Sequence, residues 1–361
     1  MKRKAAFVLL ILVAGFAMAV GEASQAPPNF SGTYRPAAGT SSRPGEPWEI
    51  AITQTPDTVT IRQPGVTPDT LSMKLDGSEA RAGGAGAAGG GPQVTSRAVW
   101  EGPKLVVTGT VTTGRGTTNI RQTYSLDGEK LMLETGATNP DGSAGPPRTA
   151  TYMKFVVTPL PAPPARTVEA GYTSLFNGKD LTGWKAGGPA ESFTVANGAI
   201  VAKAVSGQPC NCAHLFYDGD VGTHAFRNFD LKLDVVARYR ANGGIYIMTE
   251  YQPQSFPAKG FEVQVNNSHT DRIRSGSLYH VVDLSYIPAK DDEWYPMEIN
   301  VRGDTVTITL KGKEVVRWVQ PADWPGSYDF AERRIQPGTI GFQAHDPFSV
   351  TGYANIRIRL N

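Results

Sequence analysis

The 361-residue chain carries 35 Lys plus Arg against 33 Asp plus Glu, a net charge of +2, and neither sign forms a long run. That balance gives no footing to a nucleic acid or an anionic membrane as partner. Forty glycines and 27 prolines, with little helical periodicity, indicate an all-β chain rich in turns.

Lys2, Arg3 and Lys4 precede an apolar run from Ala5 to Val20, followed by small residues. This order reads as a signal peptide over residues 1–26; the run is shorter than the roughly 20 apolar residues of a comfortable membrane span. Ala17-Met18-Ala19 has the small-x-small form of a cleavage site and a second candidate ends at Ala26. A mature N-terminus between Val20 and Pro27 is therefore expected, in a protein exported to the periplasm or the exterior with no membrane insertion of its mature form. The remaining roughly 335 residues exceed what one core normally organises, so two domains are expected.

From Pro28 to Val157 short alternating segments follow one another: Trp48 to Thr53, Val59 to Arg62, and Leu105 to Val111. Asp127-Gly128 separates Asn119–Tyr124 from Lys130–Glu134 and predicts a hairpin. Such strands bury one face each, which predicts a small antiparallel barrel or half-barrel over 28–157. Arg81 to Pro92 is almost wholly Gly and Ala and reads as a mobile loop rather than core. Residues 158–170, with Pro159, Pro161, Pro163 and Pro164, read as a semi-rigid linker and as the domain boundary. That linker is expected to be protease-sensitive, and residues 168–361 are expected to fold alone.

The second half alternates again, with strands expected at Asp230–Ala237, Gly244–Met248, Gly260–Asn266, Met297–Val301, Thr305–Leu310 and Asn355–Leu360. About a dozen strands in this half fit two sheets packed face to face in a jelly roll, so residues 171–361 are expected to form a concanavalin-like β-sandwich. The only cysteines are Cys210 and Cys212. With His214 they are spaced to share one strand face as a partial soft-metal site; ordinary thiols or a strained bridge are the alternatives, and a fourth ligand is not identifiable. No metal or other cofactor is assigned.

In the segment from Phe261 to Asn266, period two sends Phe261, Val263 and Val265 to one face and Glu262, Gln264 and Asn266 to the other. An uninterrupted Glu, Gln, Asn row reads either as a solvated sheet face or as a concave substrate surface. Gln343 and His345 share a face opposite Phe342 and Ala344, Tyr246 and Met248 are expected to project together, and Tyr279 follows the turn-like Ser275-Gly276-Ser277. Neither a Gly-x-Ser-x-Gly elbow nor a His-Glu-x-x-His motif is present. No strand is expected to offer the carboxylate pair of a two-carboxylate retaining glycosidase.

Residues 172–361 resemble the 3-keto-disaccharide hydrolase domain family. The opening motif stands as Ser174-Leu175-Phe176-Asn177-Gly178-Lys179-Asp180-Leu181-Thr182-Gly183-Trp184. Asn242-Gly243-Gly244-Ile245-Tyr246, Gly260-Phe261-Glu262-Val263-Gln264-Val265, Glu293-Trp294, Ile340-Gly341-Phe342-Gln343-Ala344-His345 and Asn355-Ile356-Arg357-Ile358 follow in order. The chain departs from the family at Met248 and Ala354, where the family has Arg, and at Asn267, where it has Asp; two cations are thus expected to be missing from the groove.

The resemblance implies a concanavalin-like or laminin-G-like jelly roll and a carbohydrate substrate already oxidised to a ketone at C3. Such a ketone acidifies the C2 hydrogen, so a base can expel the glycosidic oxygen from C1 by elimination, and water then adds. Glu262 and His345 are the expected acid/base pair, facing one groove with Glu262 on the solvent side of its strand. Gln264, Asn266, Gln343, Tyr246 and Tyr279 are the expected substrate contacts. The rival reading is a non-catalytic glycan-binding module on the same sandwich, for which aromatic platforms such as Tyr246 should lie exposed along the groove.

Overall fold

The computed structural model describes residues 27–36, 47–63, 68–83, 92–156, 158–205, 212–327 and 330–361. The expected signal peptide, most of the Gly/Ala-rich stretch and Cys210 lie outside these residues. The described chain is built of strands with two short 3-10 turns and no α-helix. It divides into two units, residues 1–157 and 158–361.

The first unit contains β1 (Gly32–Pro36), β2 (Ile50–Gln54), β3 (Thr58–Arg62), β4 (Thr70–Lys74), β5 (Ala80–Gly83), β6 (Gln93–Glu101), β7 (Lys104–Thr113), β8 (Gly116–Asp127), β9 (Lys130–Thr138) and β10 (Arg148–Phe155). The sheet order is β4-β3-β2-β1-β10-β9-β8-β7-β6-β5. Sequence neighbours pair throughout, β1 closes onto β10, and the break falls between β4 and β5, which makes a nearly closed up-and-down barrel. Alternation supplies the core, with Val59 and Ile61 on β3 and Leu131 and Leu133 on β9 pointing inward. The hairpin expected around Gly128 is present, with Asp127 opposite Lys130. Inside the barrel the Tyr124 hydroxyl accepts from Gln63 Nε2 and donates to Gln122 Oε1, both at 2.9 Å, so this buried polar group is satisfied.

The second unit contains β11 (Thr173–Ser174), β12 (Trp184–Gly187), β13 (Phe193–Ala196), β14 (Ala199–Ala202), β15 (Ala213–Tyr217), β16 (Phe229–Ala237), β17 (Gly243–Thr249), β18 (Phe261–Val265), β19 (Tyr295–Arg302), β20 (Thr305–Leu310), β21 (Lys313–Val319), β22 (Thr339–Ala344) and β23 (Thr351–Leu360). One sheet runs β13-β14-β23-β16-β19-β20-β21, with β11 on β23; the other runs β12-β15-β22-β17-β18. Their inner faces supply one core, including Leu231, Leu233 and Ile299 from the larger sheet and Ile245, Val263 and Phe342 from the smaller. This is the expected concanavalin-like jelly-roll sandwich.

The opening motif is structural. Asn177 Oδ1 accepts from the backbone N–H groups of Lys179 and Asp180, Asp180 accepts from Thr182 N–H, and the resulting turn delivers Trp184 into the core. There the Trp184 indole N–H donates to Leu175 O at 2.9 Å. Its ring stacks on Phe342 at 5.1 Å, which in turn stacks on Tyr353 at 4.2 Å. A three-ring stack crossing the sandwich ties the opening motif to β22 and β23, each contact adding about 0.5–1.5 kcal/mol beyond area burial.

The Pro-rich segment lies along this sandwich. Leu160 is buried, Asn197 and Trp294 side chains donate to Leu160 O and Pro161 O, and Arg166 makes a two-pronged contact with Asp234. On β16, Asp230 and Asp234 stand four apart and point away from the core, a carboxylate pairing that sequence reasoning did not expect. Arg302 and Arg359 hold Asp230, and Arg166 holds Asp234, so the pair braces the larger sheet.

Tyr246 and Met248 do not project together as expected. The β17–β22 register shifts between Tyr246 and Thr249, Met248 adopts φ 55°, and its side chain joins the core. A bulge resets the parity of the strand. Gly260 and Gly338 make room for it, because a Cβ on Gly260 would lie 2.1 Å from Ile247 O and one on Gly338 would lie 2.4 Å from the carbonyl carbon of Met248.

Candidate active site

The outward face of the smaller sheet carries the site. Strand pairing sets Tyr246 beside Glu262, Gly244 beside Gln264 and His214 beside Gln343, so these side chains share the face opposite Ile245, Val263 and Phe342. A cavity of about 130 Å³ opens there. Six residues expected from sequence line it together: Tyr246, Glu262, Gln264, Tyr279, Gln343 and His345. Asn242, Phe256 and Arg333 complete the wall.

Two expectations are corrected. Glu262 is not on a solvated face; it is only 5 % exposed, because the segments bearing Phe256, Tyr279 and Arg333 fold over the sheet. Asn266 is not among the residues that line the cavity. Its Nδ2 donates to Asp271 O and Ile273 O, its Oδ1 accepts from His269 N–H and an Arg274 guanidinium N–H, and it shapes the 266–275 loop instead.

The Tyr246 hydroxyl donates to Glu262 Oε2 at 2.8 Å and accepts from Gln343 Nε2 at 3.3 Å. Burial pushes the Glu262 carboxyl above its ordinary pKa, while the Tyr246 hydrogen bond and the nearby Arg333 charge pull it back in part. Burial and the Glu262 charge push Tyr246 up, so its phenol stays protonated as a donor. Arg333 is buried and lies over the Phe330 ring at 5.1 Å. It restores a cation to a groove where Met248 and Ala354 had led sequence reasoning to expect fewer.

His345 sits at the rim with Nδ1 2.9 Å from Asp346 Oδ2. Burial raises the Asp346 pKa, but hydrogen bonds from His345 and Ser349 outweigh it and hold the carboxyl at about 2. An ionised carboxylate there orients the imidazole and fixes a proton on Nδ1. His214 is buried and pushed down to about 3, first by loss of solvation and then by the His345 charge, so it is a neutral imidazole. Gln343 Oε1 and Asn242 Oδ1 are buried acceptors with no hydrogen-bond partner among the described residues. Two such acceptors on one cavity wall suit a ligand rich in hydroxyl donors.

Cys212 is disulfide-bonded, which removes the thiolate that a soft-metal site with His214 would need. Cys210 lies outside the described residues.

Asn242, Phe256, Arg333 and Asp346 were missed by sequence reasoning. Asn242 opens one quoted motif and Asp346 directly follows another, so membership and adjacency were usable signals. Phe256 and Arg333 come from loops whose residues carry no periodicity.

Comparison with known proteins gives a match of residues 171–359 to the model of the 3-keto-alpha-glucoside-1,2-lyase-like domain. A curated protein of Bacteroides thetaiotaomicron described as a 3-keto-disaccharide hydrolase is 26% identical over 235 residues, covering 53% of this chain and 78% of its own. A crystal structure from Parabacteroides distasonis is 24% identical, covers 53% of this chain and 94% of its own, and superposes with a TM-score of 0.45. The Bacillus licheniformis beta-glucanase structure is 11% identical, covers 54% of this chain and 100% of its own, and gives 0.35.

Proposed function

The chain belongs to the 3-keto-alpha-glucoside-1,2-lyase-like domain family, and from that premise we propose that it is an exported enzyme that cleaves the glycosidic bond of 3-keto-glycosides by elimination and hydration. The observation that carries this reading is the convergence of Glu262 and His345 on one cavity with Tyr246, Gln343 and Arg333. Glu262 takes the C2 proton; the C2–H electron pair forms the C1–C2 double bond as the C1–O bond breaks. His345 protonates the departing oxygen. Arg333 faces the negative charge that develops on O3 as the Glu262 carboxylate is neutralised, and the Tyr246 hydroxyl holds that carboxylate in place. Water then adds across the unsaturated sugar with the same groups in reversed roles.

The burial of Tyr246, at 1 % exposure, speaks for this reading against a binding module, which would present that ring to solvent. The orphan acceptors of Gln343 and Asn242 fit sugar hydroxyls. Export rests on the N-terminal sequence; among the described residues no helix is long and apolar enough to cross a membrane. The test is incubation of the purified protein with a 3-keto-disaccharide and its unoxidised parent sugar. Release of monosaccharide from the keto compound alone is expected; no turnover of either, with retained binding, would establish the binding-module reading.

A further inference from the structure

We infer that Phe256 is the platform on which the departing group stacks, making the loop between β17 and β18 a specificity element for leaving groups that carry a flat ring. This rests on the elimination reading, since it takes the His345 side of the cavity as the leaving-group side. The Phe256 ring centroid lies 6.4 Å from that of His345 and 5.8 Å from that of His214. Unlike the buried Glu262, Tyr246 and Gln343, Phe256 is 37 % exposed while still lining the cavity. The site is thus polar at its floor, where the reacting ring must be gripped, and aromatic at its rim, beside the acid.

The loop is built to hold that ring in place. Gln252 Nε2 donates to Gln254 O at 2.7 Å and to Phe256 O at 2.8 Å, and its Oε1 accepts from Ala258 N–H at 3.2 Å. Ser255, directly before Phe256, has φ 68°. The loop rests on β12 at Gly187, where a Cβ would lie 2.1 Å from Gln252 O. Tyr251 extends the aromatic strip outward, 40 % exposed with its ring 5.7 Å from Phe216 and Lys185 Nζ 3.9 Å from its centroid. The chemistry recognised is a flat face of C–H bonds or of aromatic carbon, which a second sugar or an aryl aglycone would each supply.

The test compares kcat/KM of the parent, Phe256→Ala and Phe256→Tyr on three 3-keto-glucosides with methyl, glucosyl and phenyl leaving groups. Taking each variant-to-parent ratio on the same substrate cancels intrinsic leaving-group reactivity. Phe256→Ala is expected to lose three- to tenfold more on the ring-bearing substrates than on the methyl glycoside, mostly through KM, and Phe256→Tyr to restore it. A loss confined to the glucosyl or the phenyl compound identifies which source of flat face the platform takes. Equal losses on all three, or none, overturn the platform. If the parent turns over none of them, the elimination reading fails by itself. Calorimetric binding of the 3-keto-disaccharide then decides the platform: weaker binding by Phe256→Ala supports it, and equal binding by a variant of unchanged melting temperature overturns it.

Discussion

His345 and Asp346, adjacent in sequence, form an imidazole–carboxylate pair across 2.9 Å, with Asp346 also accepting from Phe348 N–H and from the Ser349 N–H and hydroxyl. The carboxylate fixes the proton on Nδ1, so the proton exchanged with substrate must be carried on Nε2. Asp346→Asn keeps the shape but offers an amide N–H to Nδ1, which selects the wrong tautomer. A fall in kcat of about 100-fold or more is expected with KM little changed, alongside a lowered melting temperature near neutrality, because a carboxylate held at about 2 stabilises the fold there. Unchanged kcat would remove His345 as the acid.

Glu262 should reveal itself through pH and stability together. Burial holds its carboxyl above the ordinary range, against the partial pull of Tyr246 and Arg333, so the acid limb of kcat/KM is expected above ordinary carboxylate titration. Glu262→Gln should lower turnover about 100-fold or more. Because the folded-state pKa exceeds the unfolded one, the folded protein binds the proton more tightly, and stability falls as pH rises from about 4.3 through the folded value. Gln avoids that loss. The variant should melt at the same temperature as the parent or higher at pH 7, with the gap closing below about pH 4. An inactive variant that melts lower would point to a structural carboxylate instead.

Both folds were legible because period-two alternation marks strands in both halves, and β20 falls on the expected Thr305–Leu310, although β6, β10 and β21 were not picked out. The cavity was legible for the same reason: parity alone sets Glu262 and Gln264 opposite Phe261 and Val263. Parity failed at Met248, where the bulge turns the side chain inward, and at Asn266, where β18 has already ended and local loop bonds take over. Burial of Glu262 was not legible, since the covering loops are fixed by long-range contacts such as Gly260 N–H to Glu332 O at 3.0 Å rather than by local pattern.

Asp230 on β16 predicts a specific acid sensitivity. Burial raises its pKa, but hydrogen bonds from Arg302 and Arg359, with one from Asn300, outweigh that and hold it at about 2. A folded-state pKa below the unfolded value stabilises the protein above about pH 3.9, and the contribution disappears as pH falls toward 2. The arginines are partly solvated, so Asp230→Asn is expected to cost about 1–3 kcal/mol near neutrality. Urea midpoints should converge with the parent between about pH 4 and 2. A constant difference across that range would assign the loss to packing.

The Pro-rich segment gives the last prediction, which separates a docked strap from a free linker. Asp234 has a side chain only 1% exposed, and its oxygens accept from Arg166 Nε at 2.5 Å, Arg166 Nη2 at 2.6 Å and Asn355 Nδ2 at 2.7 Å. A fragment beginning at residue 168 loses Arg166 and leaves that carboxylate with Asn355 as its remaining donor. It also empties the site of Leu160, 8% exposed, and strips Asn197 and Trp294 of their carbonyl acceptors. The buried charge and the lost apolar burial together should cost about 3 kcal/mol or more, moderated by the solvation of Arg166. Residues 158–361 should therefore melt well above residues 168–361, and limited proteolysis of the full chain should spare bonds within 158–167. Adding Arg166→Met to the longer fragment should reproduce part of the same loss of stability. If both fragments melt together, the segment is a linker and the domain begins after it.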